Sequence, residues 1–281
     1  MRLFESVSMP TGHRNDRSAT FPWYTWSRPA LHKIAQHINL LRSLPAPSST
    51  VVRACRPYPA SYHYPFSTLT RGLRNLALHL SEALLREQVG RNIFFLCRMF
   101  DAPLSSATFH KLLTLVRSGV VWINGDPRAA LHSPVKTERF DEGFPLHADL
   151  YLTERLFLVF DAVPSGRVGS SLFLARDVFD QILKEHKQVP RSVRRRLQAI
   201  LNHVTVDSFQ EYADLLYRTE ETWAVSLREC MHRRCWSVKL RRGEGFLLND
   251  RKWLHGRTST KARITASRFR RLTYGLARST S

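Results

Sequence analysis

Two histidines and one aspartate of this chain form a candidate set of metal ligands, because imidazole and carboxylate side chains commonly bind metal ions. His147 and Asp149 stand two residues apart in the segment Phe144–Tyr151, and His255 lies far along the chain in Trp253–Thr258. On an extended backbone, side chains two residues apart point to the same side. The spacing therefore predicts that His147 and Asp149 bind one ion together, with His255 as the third ligand. A single histidine is more often hydrogen-bonded at a surface, so the prediction depends on all three residues.

Two imidazoles and one carboxylate on one face of a metal ion leave its other coordination positions open. This facial triad is typical of non-haem Fe(II) oxygenases. The open positions admit a chelating co-substrate and dioxygen. A 2-oxo acid co-substrate would also need its far carboxylate held in place, and the planar guanidinium of arginine suits that task best.

A candidate arginine lies sixteen residues after His255, in the segment Ser267–Gly275. If this segment is a strand, its two faces carry different residues: Phe269, Arg271 and Thr273 on one face, and Arg268, Arg270 and Leu272 on the other. A face that points into the protein should carry one charge among apolar residues, which favours Arg271. Asn249 and Asp250, just before His255, are expected to be turn residues that support the site. Arg257 is expected either to contact substrate or to hydrogen-bond the neighbouring loop.

Three blocks of this sequence resemble the taurine dioxygenase / clavaminate synthase-like superfamily of Fe(II)/2-oxoglutarate-dependent oxygenases, over roughly residues 68–277. Pro145–Tyr151 resembles the His-x-Asp block of that superfamily. Gly169–Phe173 resembles its Gly-Gly-Asp-Thr block, with Ser171 where threonine is usual. The third block is C-terminal and consists of Gly245–Arg251, Leu254–Thr258 and Arg271–Gly275.

The resemblance implies an enzyme that binds Fe(II) through His147, Asp149 and His255 and uses 2-oxoglutarate and O2 as co-substrates. It implies that Arg271, helped by the hydroxyl of Ser171, binds the far carboxylate of 2-oxoglutarate. The implied reaction is hydroxylation, desaturation or cyclisation at an unactivated C–H bond of a small molecule, such as an amino acid or a natural-product intermediate. Two alternatives are an oxygenase for a carrier-protein-bound or nucleic-acid substrate, and a basic nucleic-acid-binding protein without catalysis.

Hydrophobic periodicity predicts the elements that must position these residues. The predicted helices are 28–44, 68–87, 106–118, 177–187, 192–203 (with Ser192 as N-cap), a helix capped by Asp207, and 222–231. The predicted strands are 93–96, 120–123, 156–160, 170–173, 236–240, 246–248 and 268–275. This order favours a β-sandwich or barrel decorated with helices over an alternating βαβ chain. The predicted class is mainly β with α, and the resemblance implies a double-stranded β-helix, or jelly roll, with packed helices.

The net charge of the 281-residue chain is +20. Such a field attracts nucleic acid, anionic membranes or acidic proteins. No zinc-finger spacing, RNP-type strand or Gly-Arg repeat accompanies the charge, so we expect a solvated basic surface without a nucleic-acid partner. An acidic carrier protein stays an open possibility, and oligomeric state is not predicted. The sequence contains no run of about 18 apolar residues, so we do not expect a transmembrane helix.

Residues 1–66 differ in composition from the rest of the chain. They contain eight Lys/Arg but only two acidic residues, and prolines punctuate their second half. Acid-poor termini with arginine and serine resemble organelle transit peptides. The aromatic content is high for a discarded leader, however. We expect an ordered basic, aromatic and Pro-rich extension over 1–66 that covers the core or lines the substrate entrance, an oxygenase domain over 67–281, and a cytoplasmic location unless the N-terminus is an organelle-targeting signal.

Overall fold

The computed structural model describes residues 1–10, 21–51, 60–87, 93–133, 144–149, 154–162, 169–203, 206–258 and 268–275. The strands are β1 (Phe4–Val7), β2 (Trp23–Trp26), β3 (Ser48–Val51), β4 (Ala60–His63), β5 (Phe94–Leu96), β6 (Ala130–Ser133), β7 (Phe144–His147), β8 (Arg155–Ala162), β9 (Ser171–Ala175), β10 (Trp236–Val238), β11 (Gly245–Asn249), β12 (Trp253–Arg257) and β13 (Arg268–Tyr274). The α-helices are α1 (Arg28–Gln36), α2 (Ile38–Ser43), α3 (Arg71–Arg86), α4 (Ser106–Asn124), α5 (Arg176–Glu185), α6 (Arg191–Asn202), α7 (Val206–Leu216) and α8 (Thr222–Arg234).

The strands form two large sheets and one hairpin. The seven-stranded sheet has the order β1-β2-β5-β11-β8-β13-β6, the four-stranded sheet has the order β10-β9-β12-β7, and β3 pairs with β4. Neighbouring strands are antiparallel except for β2 and β5, which are parallel. Together with the helices this is a mixed α/β architecture, so the predicted mainly β class is corrected. One reason is that α4 continues through Val120–Ile123, a segment that was predicted as a strand.

The two large sheets pack face to face around an aromatic core. Phe173 of the four-stranded sheet contacts Phe95 and Phe246 of the seven-stranded sheet, with ring centroids 5.5 and 4.9 Å apart. Along β8, Leu156, Leu158 and Phe160 belong to this core, whereas Phe157 and Val159 point to the opposite face. Strand β8 is thus buried on both faces, which explains its continuous apolar sequence.

Helices cover the outer face of each sheet. Helices α3 and α4 pack against each other and over the seven-stranded sheet, in a core that also contains Phe157, Val159 and Leu272. Helices α5 to α8 pack over the four-stranded sheet, where Leu172 and Leu254 point outward to meet them. None of the helices within the described residues is long and apolar enough to cross a membrane.

The described part of the N-terminal segment 1–66 contributes to the main sheet. Strands β1 and β2 pair with each other, and β2 pairs with β5. Trp23 is buried between the sheets, while Trp26 and Ile34 are buried in the core beneath α3 and α4. This segment therefore packs as part of the sheet and its core, and the domain division predicted at residue 66 remains a prediction.

The strand predicted at Val120–Ile123 is wrong, because these residues continue α4 to Asn124. The β-branched run Val120-Val121 suggested a strand, but only Val120 is fully buried, and Trp122 and Ile123 are exposed on the helix. Gly125 ends the helix in the left-handed conformation, with φ of 64°.

Two predicted helix caps are also wrong, and one predicted helix is divided. Helix α6 begins at Arg191 after Pro190, so Ser192 lies inside it. Helix α7 begins at Val206, so Asp207 lies inside it. The basic helix predicted over 28–44 is divided into α1 and α2 at His37.

Candidate metal centre

His147 and His255 lie directly opposite each other on the neighbouring antiparallel strands β7 and β12. Their ring centroids are 4.2 Å apart, as expected for cross-strand partners. His255 is also in register with Phe173 on its other side, and Phe173 lies in the core between the sheets. Both imidazoles therefore point into the space between the two sheets, where they are 4% and 8% exposed.

Asp149 follows β7 and turns its carboxylate toward both histidines. The distance from His147 Nε2 to Asp149 Oδ1 is 3.5 Å, and that from His255 Nε2 to Asp149 Oδ2 is 3.9 Å. One ligand atom from each of the three residues lies within 4.8 Å of the others. Ala148 points to the opposite, helix-covered face, as the alternation predicts. The structure thus brings together the three residues that the sequence singled out.

The donor atoms of this site fit a divalent transition metal. His147 Nδ1 lies 2.8 Å from the carbonyl oxygen of Pro145, so a proton on Nδ1 donates to that oxygen and the Nε2 lone pair faces Asp149. His255 Nε2 is buried and makes no hydrogen bond of good geometry within the described residues. Two imidazole nitrogens and one carboxylate suit Fe(II), among other ions. The residues present are therefore able to hold the iron that the sequence resemblance implies.

Asp250 adds a second carboxylate beside the triad. Its Oδ2 accepts a hydrogen bond from the backbone N–H of Asp149 at 2.5 Å, and its Oδ1 lies 3.3 Å from His255 Nε2. Burial raises the pKa of Asp250, although its contact with His255 opposes this change. Asp250 is 101 residues from Asp149 and yet holds the backbone of that residue. This matches the supporting role expected for Asp250.

The charge of Asp149 is stabilised by its surroundings. Burial by itself would raise the pKa of this carboxyl, but Arg271, His147 and His255 together hold the pKa well below its usual range. Burial by itself would lower the pKa of His255, but the contact with Asp250 and the charge of Asp149 together raise it. The carboxyl of Asp149 is therefore ionised at neutral pH, the form in which it can bind a metal ion.

Arg271 reaches the triad from the opposite sheet. On β13 it is in register with Leu158, whose side chain lies in the core between the sheets. Its Nη1 donates to Asp149 Oδ2 at 2.9 Å, and its Nε is buried without a hydrogen-bond partner within the described residues. Arg270 points to the other face and pairs with Asp161 at 2.8 Å. The predicted choice between the two faces of this strand is thus confirmed, while the role of Arg271 stays a prediction.

Ser171 lies on the same inner face of the four-stranded sheet as His255. It begins β9, is 5% exposed, and is in register with Arg257 of β12. Arg257 is itself 8% exposed and stands two residues after His255 on the same face. The structure therefore places a hydroxyl on β9 directly opposite a buried guanidinium on β12, the strand that carries His255.

Helix α7 and Tyr217, the residue after it, contact the strand that carries His147. The sequence did not predict this contact. Tyr212 donates from its hydroxyl to the carbonyl oxygen of Leu146 at 2.8 Å. The N–H of Leu146 donates to the hydroxyl of Tyr217 at 3.1 Å. Phe209 packs edge-on against the ring of His147, with centroids 5.4 Å apart. The available signal was the pair of tyrosines, since a buried tyrosine hydroxyl usually needs a hydrogen-bond partner.

No protein-family model matches this chain, and no curated protein matches it. Among solved structures, asparagine oxygenase (AsnO) is 12% identical, with 90% of this chain and 92% of that chain covered and a TM-score of 0.45. Its complex with Fe(II), 2S,3S-3-hydroxyasparagine and succinate is 13% identical, with the same coverage and a TM-score of 0.46. The non-heme iron oxygenase OrfP in complex with Fe, succinate and (3R,4R)-dihydroxy-L-Arg is 14% identical, with 90% and 94% covered and a TM-score of 0.43. Sequence identities and TM-scores this low do not assign a function, so the function of this protein is inferred from the geometry of the site.

Proposed function

We propose that this protein is a non-haem Fe(II)/2-oxoglutarate-dependent dioxygenase that hydroxylates, or otherwise oxidises, an unactivated C–H bond of a small molecule such as an amino acid or a natural-product intermediate. One observation carries the proposal: His147, Asp149 and His255 converge between two sheets with their ligand atoms within 4.8 Å of one another. Two histidines and one carboxylate leave three coordination positions for co-substrate and dioxygen.

The order of strands supports a double-stranded β-helix as the fold of this domain. From β6 to β9 the chain alternates between the two sheets, and from β10 to β13 it again alternates between them. The large sheet receives β6, β8, β11 and β13, and the small sheet receives β7, β9, β10 and β12. Such alternation is the connectivity of a jelly roll, in which two antiparallel sheets enclose one core.

Different residues of the site are proposed to bind the iron and the 2-oxoglutarate. Bound Fe(II) would supply the activation of dioxygen and the oxidation of the C–H bond. His147 and His255 would offer neutral nitrogen lone pairs, and Asp149 would offer an ionised oxygen that Arg271 stabilises. Arg271 and Ser171 are proposed to bind 2-oxoglutarate. Because both histidines are buried between the two sheets, the sheets limit the access of bulk water to the reacting atoms.

The test is anaerobic addition of Fe(II) and 2-oxoglutarate to the purified protein. We expect a weak visible charge-transfer band under these conditions, and succinate release after air is admitted with substrate. His147→Ala should abolish both signals, since it removes a ligand. His79→Ala, which changes an exposed histidine on α3, should retain both. Full succinate formation by His147→Ala would refute the assignment, and tight, salt-sensitive RNA binding without the band would favour a nucleic-acid-binding protein instead.

A further inference from the structure

Apolar side chains are exposed at one end of the helix pair α3–α4. Trp122 and Ile123, near the C-terminal end of α4, are 59% and 39% exposed. The ring of Phe66 stacks on the indole of Trp122, with centroids 4.6 Å apart, so one face of the indole is covered and the rest is open to solvent. Neighbouring exposed apolar groups of this kind often mark a contact with another protein or with a membrane.

The packing of the two helices places these residues beside the first turn of α3. A Cβ built on Gly119 of α4 would lie 2.7 Å from the carbonyl oxygen of Ala77 of α3. The hydroxyl of Ser81, one turn further along α3, donates to the carbonyl oxygen of Val116, one turn earlier in α4, at 2.8 Å. The two helices are therefore antiparallel, and the end of α4 lies next to the start of α3.

One leucine and two arginines complete this surface. Leu40 of α2 is 39% exposed, and a Cβ built on Gly72 of α3 would lie 3.2 Å from its Cδ1. Arg71 and Arg74 of α3 are exposed and make no ion pair within the described residues. We define the α3 patch as the surface formed by Leu40, Phe66, Arg71, Arg74, Trp122 and Ile123.

The chain around the α3 patch is basic and lacks acidic residues. Residues 17–81 contain eight Lys/Arg and no Asp or Glu. Asp126, just after α4, is paired with Arg128 at 2.7 Å. Arg71 is the first residue of α3, where the positive end of the helix dipole disfavours a cation. The charge of Arg71 therefore does not stabilise α3, and it is available to an anionic partner.

An anionic membrane is the partner whose chemistry matches both properties of the α3 patch. Tryptophan is enriched where a membrane meets water, and basic side chains beside large apolar ones are typical of segments that lie on a membrane surface. Anionic headgroups attract lysine and arginine. A nucleic acid would meet the arginines, but it offers no hydrocarbon phase for Leu40 and Ile123. A second copy of this chain would bring like charges together, which opposes association.

We propose that the α3 patch binds the surface of an anionic lipid membrane. Trp122, Ile123 and Leu40 enter the boundary between headgroups and acyl chains, and Arg71 and Arg74 contact the lipid phosphates. The α3–α4 layer covers the outer side of the seven-stranded sheet, whereas the metal site lies between the two sheets. Membrane contact at this patch therefore leaves the metal site uncovered, and the inference does not depend on the proposed function.

The test is co-sedimentation of the full chain with lipid vesicles, without metal or 2-oxoglutarate. One set of vesicles contains phosphatidylcholine alone, and the other contains a mixture of phosphatidylcholine and phosphatidylglycerol. We expect binding to the anionic vesicles that weakens at high salt, because salt screens contacts between exposed charges. Vesicles with brominated acyl chains should quench the fluorescence of Trp122, and this quenching should disappear in Trp122→Phe.

Variants of equal charge separate the α3 patch from the general basicity of the chain. The double variant Arg71→Gln/Arg74→Gln should bind the anionic vesicles about 25-fold more weakly, because each cation near an anionic surface contributes about fivefold. Trp122→Ala should weaken binding by about tenfold, since it removes an apolar side chain from the lipid contact. The control, Arg191→Gln/Arg195→Gln, removes the same charge from exposed positions on α6 and should bind within about twofold of the wild type. Thermal unfolding of each variant would establish that the fold is intact.

The outcomes decide between membrane binding and other contacts. Weaker vesicle binding in both patch variants, with the control unchanged, supports the inference. Equal losses in the patch and control double variants, or binding that Trp122→Ala leaves unchanged, would overturn it. A wild type that ignores anionic vesicles but binds poly-uridylate or poly-L-glutamate through the patch would assign it to nucleic acid or to an acidic protein instead. A dimer that Trp122→Ala abolishes, without vesicle binding, would assign it to a second copy.

Discussion

Asp149 belongs to the candidate metal site and also pairs with Arg271, so its replacement tests both metal binding and the stability of the protein. The substitution Asp149→Asn keeps the shape of the side chain and removes its charge. Three groups that can carry positive charge surround this carboxylate, at 2.9 Å for Arg271, 3.5 Å for His147 and 3.9 Å for His255. An amide oxygen still accepts a hydrogen bond from Arg271, but it no longer neutralises that guanidinium and is a poorer metal ligand.

The expected size of the effect follows from two contributions. Without metal, a hydrogen bond between charged groups contributes about 1.5–3 kcal/mol, and partial retention by the amide reduces the expected loss to about 1 kcal/mol. With metal at 100 times the wild-type dissociation constant, binding stabilises the folded wild type by about 2.7 kcal/mol. Altering groups that only support a metal ligand weakens affinity by about 10- to 100-fold. A 100-fold loss in the variant would leave only about 0.4 kcal/mol of stabilisation.

The measurement is urea unfolding of both proteins, with EDTA and then with Co(II). The control is Asp214→Asn, which breaks an exposed pair with Arg218 whose atoms are 2.8 Å apart. That change should lower stability by less than about 1 kcal/mol and leave the Co(II) effect intact. If Co(II) stabilises the Asp149→Asn variant as much as it stabilises the wild type, Asp149 is not a metal ligand and the site is misassigned.

Three further predictions concern the scaffold around the site. Gly119→Ala should destabilise the protein by about 1–3 kcal/mol in urea unfolding. The added Cβ would lie 2.7 Å from the carbonyl oxygen of Ala77 and collide with the hydroxyl of Ser81. A stabilised variant would contradict the close contact of α3 and α4. Burial and Arg270 lower the pKa of His110 from 6.5 to about 4, so the unfolded chain takes up its proton first and stability should fall as pH falls from 6.5 to 4. The slope from this residue is at most about 1.4 kcal/mol per pH unit, and His110→Gln should flatten the pH dependence; an unchanged slope would count against it. Tyr212→Phe should lower stability by about 1 kcal/mol and weaken Co(II) binding several-fold, because it removes the hydrogen bond to the carbonyl oxygen of Leu146, the residue before His147. Equal Co(II) affinity would show that α7 does not position that strand.

Local sequence patterns were sufficient for elements whose neighbours along the chain determine their structure. The leucines of α3, the apolar run of β8 and the turn before β11 predicted their elements within a few residues. The pattern failed at Val120–Ile123, where β-branched residues favour a strand but continuity with the preceding helical turns and the left-handed Gly125 extend α4. The sequence pattern also did not predict the N-terminal strands β1 and β2. A proline-rich composition does not show that β1 pairs with β2 or that β2 pairs with β5 of the main sheet.

The sequence by itself determined which chemical groups the site contains: two imidazoles, a carboxylate, arginines and a hydroxyl, at spacings that suit a metal and a 2-oxo acid. The tertiary structure decided which of these groups face each other. His147 meets His255 because β7 and β12 pair in that register, and Asp250 holds Asp149 across 101 residues. The partner of Ser171 on its own sheet is Arg257, while Arg271 turns to Asp149. Such contacts are set by strand register and by the separation of the two sheets, which depend on packing of the whole core and leave no signal in the spacing of residues along the chain.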